Sequence, residues 1–315
     1  MNEAIGGYFG LEQKKLKHFH NSDKCILLNT GRNCLEYILR NNFFSKIYLP
    51  YFTCDVLLEP IKKLNISFQY YHVDEKLEPL FNFDSLGKNE VFLYTNYFGL
   101  KDDYIQSISF LNSKLIIDNA QSFFSKPIVN ISTFYSARKF VGVSDGAYLY
   151  TDKHSDKLLE NDSSRDRISH LITRLDKNAE EGYSEFIKND LKLVNQPILG
   201  MSEFTKSVLQ SLDYKYIRKR RLENYNFLNE ALSQFNKFKV VKSTLQIPMV
   251  YPFWTNDKSL NQRLLINKVY CAKYWPNVRQ WGGNLLETEM SENIIYLPID
   301  QRYTLEDMKK ILNYV

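Results

Sequence analysis

Leu115-Ile116-Ile117-Asp118-Asn119-Ala120-Gln121, followed by Ser136-Ala137-Arg138-Lys139, is the stretch that decides the fold of this chain. The first segment is an apolar run ending on an acid, the pattern of a buried strand whose last side chain leaves the sheet. The second reads as a short strand or turn with a hydroxyl three residues before a lysine. Outward from there, short apolar runs recur at Ile26 to Leu28, Ile47 to Leu49, Phe68 to Tyr71, Val91 to Tyr94 and Ala147 to Tyr150, with helical stretches between them. Strand-helix alternation of this kind predicts an α/β fold with a mostly parallel sheet between helices. Ligands of such sheets gather at the carboxyl ends of the strands, where Asp118 falls.

A lysine amine can attack an aldehyde, and a buried carboxylate can keep a heterocyclic nitrogen protonated. Pyridoxal phosphate (PLP) chemistry needs both. A carboxylate about 4 Å from the ring nitrogen favours the protonated form by roughly 4 kcal/mol at an effective dielectric of 20. Gln121, three residues past Asp118, can return on a turn to hydrogen-bond the phenolic oxygen of such a ring. Arg138 is a candidate cation to promote loss of the lysine proton. Upstream, Leu28-Asn29-Thr30-Gly31-Arg32-Asn33 joins a strand to a helix whose apolar positions Leu35, Ile38 and Leu39 recur at helical spacing. The first amides of that helix, at Gly31, Arg32 and Asn33, suit a phosphate, and the Arg32 side chain can add a charge-assisted contact. Each piece also has a plainer reading: a strand-end turn residue, a solvated lysine, an ordinary N-cap.

In order and surroundings these blocks resemble the DegT/StrS-type sugar aminotransferases, a branch of the fold-type-I PLP-dependent enzymes. The likeness begins at Ile5-Gly6-Gly7-Tyr8-Phe9-Gly10-Leu11-Glu12. It passes through Ile47-Tyr48-Leu49-Pro50-Tyr51-Phe52-Thr53-Cys54 and Leu93-Tyr94-Thr95-Asn96-Tyr97-Phe98-Gly99. It ends on Lys273-Tyr274-Trp275-Pro276 and Tyr296-Leu297-Pro298-Ile299-Asp300. The resemblance implies a large PLP-binding domain over 1–237 and a small C-terminal α/β domain over 238–315. It implies Lys139 as the Schiff-base lysine, Asp118 at the pyridine nitrogen and Gln121 at the phenolic oxygen. Gly31, Arg32, Asn33 and Ser136 fall at the phosphate. Departures are visible: the family's Ser-Gly-Thr is Thr30-Gly31-Arg32 here, and the position of the ring-stacking aromatic falls on Cys54, so that stacking either comes from Tyr51, Phe52 or Tyr97 or is absent. Where relatives carry a turn reaching the neighbouring subunit's phosphate, this chain reads Gln196-Pro197-Ile198-Leu199-Gly200-Met201-Ser202.

The implied activity is transfer of an amino group, from glutamate by family analogy, to a keto sugar, nucleotide-linked and used in surface polysaccharide or related biosynthesis, by a homodimer. Tyr8, Tyr97, Tyr274 and Trp275 have polar tips suited to a wet, carbohydrate-binding rim. Two other readings remain: another PLP-dependent sugar reaction such as dehydration, against which Lys139 argues because dehydrating relatives replace that lysine by histidine, and a non-catalytic relative.

Composition fits this picture. The chain has 315 residues, 44% of them hydrophobic, enough for a substantial core. Forty-one basic against thirty-six acidic residues leave a net charge of +5, too small for a bulk nucleic-acid surface. Cys25, Cys34, Cys54 and Cys271 show no close pair and no His/Cys metal spacing, so they read as free thiols in a reducing cytoplasm, with no metal. The start, Met1 to Gly7, lacks the basic and apolar regions of a signal peptide, and no apolar run approaches the length of a membrane span. The stretch Ser155 to Glu185 is polar and helical. A long helix is expected from near Ser202 through Leu232, and a last one from Leu305 to Tyr314 with Thr304 and Asp307 as its capping box.

Overall fold

The computed structural model describes residues 5–155, 158–239, 243, 246–282 and 284–315, so part of the chain start read for a signal peptide lies outside the described residues. The elements run β1 (Cys25–Leu28), α1 (Gly31–Arg40), β2 (Lys46–Pro50), α2 (Leu58–Lys63), β3 (Ser67–Val73), β4 (Pro79–Leu80), β5 (Glu90–Thr95) and α3 (Asp102–Ser107). They continue with β6 (Leu115–Asn119), β7 (Ser132–Ser136), β8 (Ala147–Tyr150), α4 (Ser169–Asp176), α5 (Ala179–Lys192), α6 (Glu203–Ser211) and α7 (Tyr214–Leu232). The C-terminal part adds β9 (Tyr251–Trp254), α8 (Leu260–Ile266), α9 (Asn277–Gln280), α10 (Leu285–Asn293), β10 (Ile294–Leu297) and α11 (Leu305–Leu312).

Eight strands form one sheet in the order β1-β8-β7-β6-β5-β2-β3-β4. The block β3-β2-β5-β6-β7 is parallel, while β8 runs against both β7 and β1, and β4 against β3. Both faces are buried, so strand residues alternate between two cores. Ile116, Leu93, Phe134 and Leu149 join the core under α1, whereas Leu115, Ile117, Tyr94 and Tyr135 join the larger core on the other face.

The helix α1 starts where it does because Thr30 is extended and its side chain accepts the Asn33 amide, a contact of about 1 kcal/mol. Its apolar face, Cys34, Leu35, Ile38 and Leu39, then lies in the α1-side core.

The expected long helix after Ser202 is two helices. The start near Ser202 is as expected, with Ser202 capping α6, but the chain leaves helical geometry at Leu212, and the Asp213 carboxylate caps α7 anew by accepting from Lys215 and Tyr216. The capping box at Thr304 and Asp307 is present. Residues 238–315 contribute the two-stranded β9-β10 sheet, and their core is continuous with that of the large sheet: Phe98 packs on both Trp275 and Tyr296. No helix among the described residues is long and apolar enough to cross a membrane.

Candidate active site

Parallel pairing sets Thr95 beside Asp118 and Asp118 beside Phe134. Side chains two apart share a face. Thr95, Asp118 and Ser136 therefore project from the carboxyl ends of β5, β6 and β7 on the face that α1 covers. The amino end of α1 opens at the same edge, because β1 leads directly into it.

Asp118 is 7% exposed. One carboxylate oxygen accepts the Ala120 amide at 2.8 Å, and the other has no hydrogen bond among the described residues. Burial pushes this carboxyl above the usual range, opposed by the charge of Lys139 and by the Ala120 N–H. A buried carboxyl without an ion-pair partner is what a protonated ring nitrogen would complete. Lys139 ends the 3-10 turn Ala137–Lys139 that follows β7, is exposed, and has no ion pair or hydrogen bond among the described residues, so its amine is free to react. Gln121 returns on the turn after β6 as expected. Its Oε1 accepts the Phe98 amide at 3.0 Å, while its buried Nε2 has no partner among the described residues. Thr95 Oγ1 is likewise buried without a partner among the described residues. Unmet donors of this kind are costly unless a ligand or water meets them.

At α1 the backbone N–H groups of Gly31 and Arg32 have no partner among the described residues, whereas the Asn33 amide is taken by Thr30. The Asn33 side chain donates to Asn29 Oδ1 at 2.8 Å and to the Pro197 carbonyl at 2.7 Å. Gly31 is not in the left-handed region; a Cβ there would meet only Phe134, at 3.6 Å. Its lack of a side chain leaves the helix end open rather than turning the chain. Ser136 Oγ has no hydrogen bond among the described residues and is only half-buried. Two free amides and an open hydroxyl thus fit a phosphate, and the pair Asp118 and Lys139 with the unmet Gln121 amide fits a pyridine ring beside it.

The structure places other expected contributors elsewhere. The Arg32 guanidinium pairs with Glu59 at 2.6 Å, and Glu59 also accepts the Asn195 amide, so this charge is already met. Arg138 turns away from the lysine to pair with Asp190 of α5. Tyr97 and Trp275 are in the core rather than on a wet rim: Tyr97 is fully buried with its hydroxyl donating to the Phe52 carbonyl at 2.9 Å, and Trp275 packs edge-on to Phe52. Their polar tips are satisfied or enclosed by packing, so an aromatic motif signalled core here. Tyr8 is 98% exposed, without contact to the strand ends. Tyr274 is half-buried and packs on Phe98 and Tyr296.

Of the residues considered for ring stacking, Phe52 and Tyr97 are fully enclosed and Tyr51 stacks on His72, leaving none of them turned to the strand ends. Cys54 is there instead. Burial raises its thiol, while the nearby Lys139 charge lowers it and Asp118 acts against that. Sequence reasoning missed Thr95, Glu59 and the Arg221-Gln301 pair behind the lysine turn. The hydroxyl at a strand end next to Asp118 was the available signal for the first; the others depend on contacts far apart in sequence.

No protein-family model matches the chain, and no curated protein matches it in sequence. Its fold is nonetheless shared with solved structures. DesV from S. venezuelae, solved in complex with a ketimine intermediate, superposes with a TM-score of 0.66 at 13% identity over 94% of this chain and 85% of that one. The aminotransferase TlmJ from Streptoalloteichus hindustanus gives 0.65 at 14% over 92% and 84%. A DegT DnrJ EryC1 StrS aminotransferase from Brucella abortus gives 0.58 at 14% over 92% and 84%. The chain thus has the fold of the fold-type-I aminotransferases.

Proposed function

We propose that this chain is a PLP-dependent aminotransferase whose acceptor is a keto sugar. The observation that carries the reading is the convergence, on one face of the strand ends, of a buried unpaired Asp118, a free Lys139 amine and the unmet Gln121 amide beside an open helix end. The sugar aminotransferase CalS13 from Micromonospora echinospora and NtdA from Bacillus subtilis, solved with bound PMP, share the fold and support this reading.

PLP, when bound, supplies an aldehyde to carry the amino group and a ring that withdraws electrons. The chain does the rest. The free amides of Gly31 and Arg32 with Ser136 Oγ anchor the phosphate, and Gln121 Nε2 donates to the phenolic oxygen. Asp118 holds the ring nitrogen protonated through its free carboxylate oxygen. Lys139 Nζ, reachable from solvent, would be the group that takes up and returns the proton in each half-reaction. The donor is glutamate and the sugar nucleotide-linked, in surface polysaccharide or related biosynthesis in the cytoplasm; both substrates are small molecules, and no nucleic acid is involved.

A homodimer is part of the same reading. Among the described residues, amides and a hydroxyl alone meet the phosphate dianion, which leaves its cation to a second copy. Reconstitution with PLP, borohydride reduction and peptide mapping should place the cofactor on Lys139. The cofactor should then take an amino group from glutamate and release it to members of a keto-sugar panel rather than to keto acids. Sedimentation should give a dimer, and a monomer that transaminates excludes that part.

A further inference from the structure

We infer that Arg221 is a positioning residue for Lys139, holding the turn that carries the lysine and fixing it against Gln121; this rests on the function proposed above. Arg221, on α7, is 1% exposed and has no carboxylate within ion-pair distance among the described residues. Asp300, the acid whose charge acts on it, is engaged by Arg302 at 2.7 Å. A buried charge without a counterion is costly, and chains keep one where its donors hold something in place.

Each of the three Arg221 guanidinium nitrogens donates a hydrogen bond. Nη2 donates to the carbonyl of Phe140, the residue after Lys139, at 3.3 Å. Gln301 Nε2 donates to the same carbonyl at 2.8 Å, and Arg221 Nε donates to Gln301 Oε1 at 3.1 Å. The guanidinium also lies over the Phe140 ring, 4.7 Å from its centre. The third nitrogen, Nη1, donates to the Met249 carbonyl at 3.0 Å.

From Met249 the chain of hydrogen bonds continues to the other side of the site. The Met249 amide donates to the Phe98 carbonyl at 2.8 Å, and the Phe98 amide donates to Gln121 Oε1 at 3.0 Å. Phe98 makes both bonds from a left-handed backbone, φ 57°, a conformation that costs a non-glycine residue free energy and persists where its surroundings impose it. Gln121 and the Lys139 turn are therefore joined through a strained phenylalanine and a buried arginine, so the two groups proposed to face one ring share one frame. Asn224, one helical turn further along α7, fixes the segment bearing Gln301 by donating to the carbonyls of Ile299 and Tyr303.

The test compares wild type with Arg221→Met, which keeps bulk but no donors, Arg221→Lys, which keeps the charge but not the fork, and Gln301→Leu. Two quantities are read: hydrogen exchange of the Phe140 and Val141 amides, both bonded to the Ala137 carbonyl, in protein without cofactor, and the rate at which PLP becomes borohydride-fixed on Lys139. In Arg221→Met both should change by about tenfold or more, the scale of a charge-assisted hydrogen bond, while exchange of Ile116 and Ile117 in β6 stays put. Arg221→Lys should fall between. Unchanged exchange at the turn, or faster exchange with unchanged trapping, overturns the inference. If Arg221→Met does not fold, Gln301→Leu decides on the same two readouts. Wild type that fixes no cofactor on Lys139 defeats the proposed function instead, and the exchange comparison still shows whether Arg221 holds the turn.

Discussion

Arg32 Nη1 lies 2.6 Å from Glu59 Oε2, so the only cation in the first turn of α1 is already paired before any phosphate arrives. Both side chains are largely buried, and Glu59 holds the Asn195 amide with its other oxygen. Arg32→Ala should therefore cost about 1–3 kcal/mol of stability, read by urea unfolding, as expected for a charge-assisted hydrogen bond. The affinity for PLP should change less than about tenfold, since the Arg32 backbone amide survives. A large loss of PLP affinity at unchanged stability would mean that the guanidinium leaves Glu59 for the phosphate.

Lys139→Ala should abolish the borohydride-fixed cofactor and leave the unfolding transition where it is, because the lysine side chain is exposed and makes no ion pair or hydrogen bond among the described residues. The readout is the mass of the reduced protein. A cofactor still fixed in this variant would assign the chemistry to another lysine.

The strand-end geometry was legible because it depends on local pattern: Leu115 to Asp118 is an apolar run closed by an acid, and Thr30 is a cap by residue type. The Gln121 turn followed from a separation of three residues. The partners of the Arg32 and Arg138 guanidinium groups were not legible, because a cation's partner is set by tertiary contact, and Glu59 and Asp190 lie far away in sequence. The burial of Tyr97 and Trp275 was hidden for the same reason. An aromatic with a polar tip suits a wet rim or a core with an acceptor, and the Phe52 carbonyl that receives Tyr97 has no mark in the sequence. The short strand β7 was half-seen, as its alternation is masked by burial on both faces.

Asp118→Asn should lose turnover while retaining the fold, since an amide cannot hold the ring nitrogen protonated. The pH dependence of the protein without cofactor adds a second check. Burial raises the folded-state carboxyl above its ordinary 3.8, so the folded state binds the proton more tightly than the unfolded one. Stability from this group is then full below pH 3.8 and falls as pH rises toward the folded value. At pH 7 Asp118→Asn should therefore unfold at a temperature equal to or above wild type, and the difference should shrink toward pH 3.5. A variant less stable than wild type at pH 7 would show that the carboxylate has a counterion in the folded chain.

Gly146 ties the two halves of the site together: its amide donates to the Asn29 carbonyl at 2.6 Å, just before α1, and its carbonyl accepts the Ala137 amide at 3.0 Å, just before Lys139. It does so at φ +111°, and a Cβ there would come within 2.7 Å of Thr205 Cγ2. Gly146→Ala thus incurs backbone strain and overpacking, together roughly 2–5 kcal/mol. Thr205→Ser removes the clashing methyl and keeps the hydroxyl that donates to Asp145 at 2.5 Å. The double variant should recover the packing part and leave the backbone part, so chemical unfolding should rank wild type, double variant, then Gly146→Ala. No recovery in the double variant would assign the whole cost to the backbone, and full recovery would assign it to Thr205.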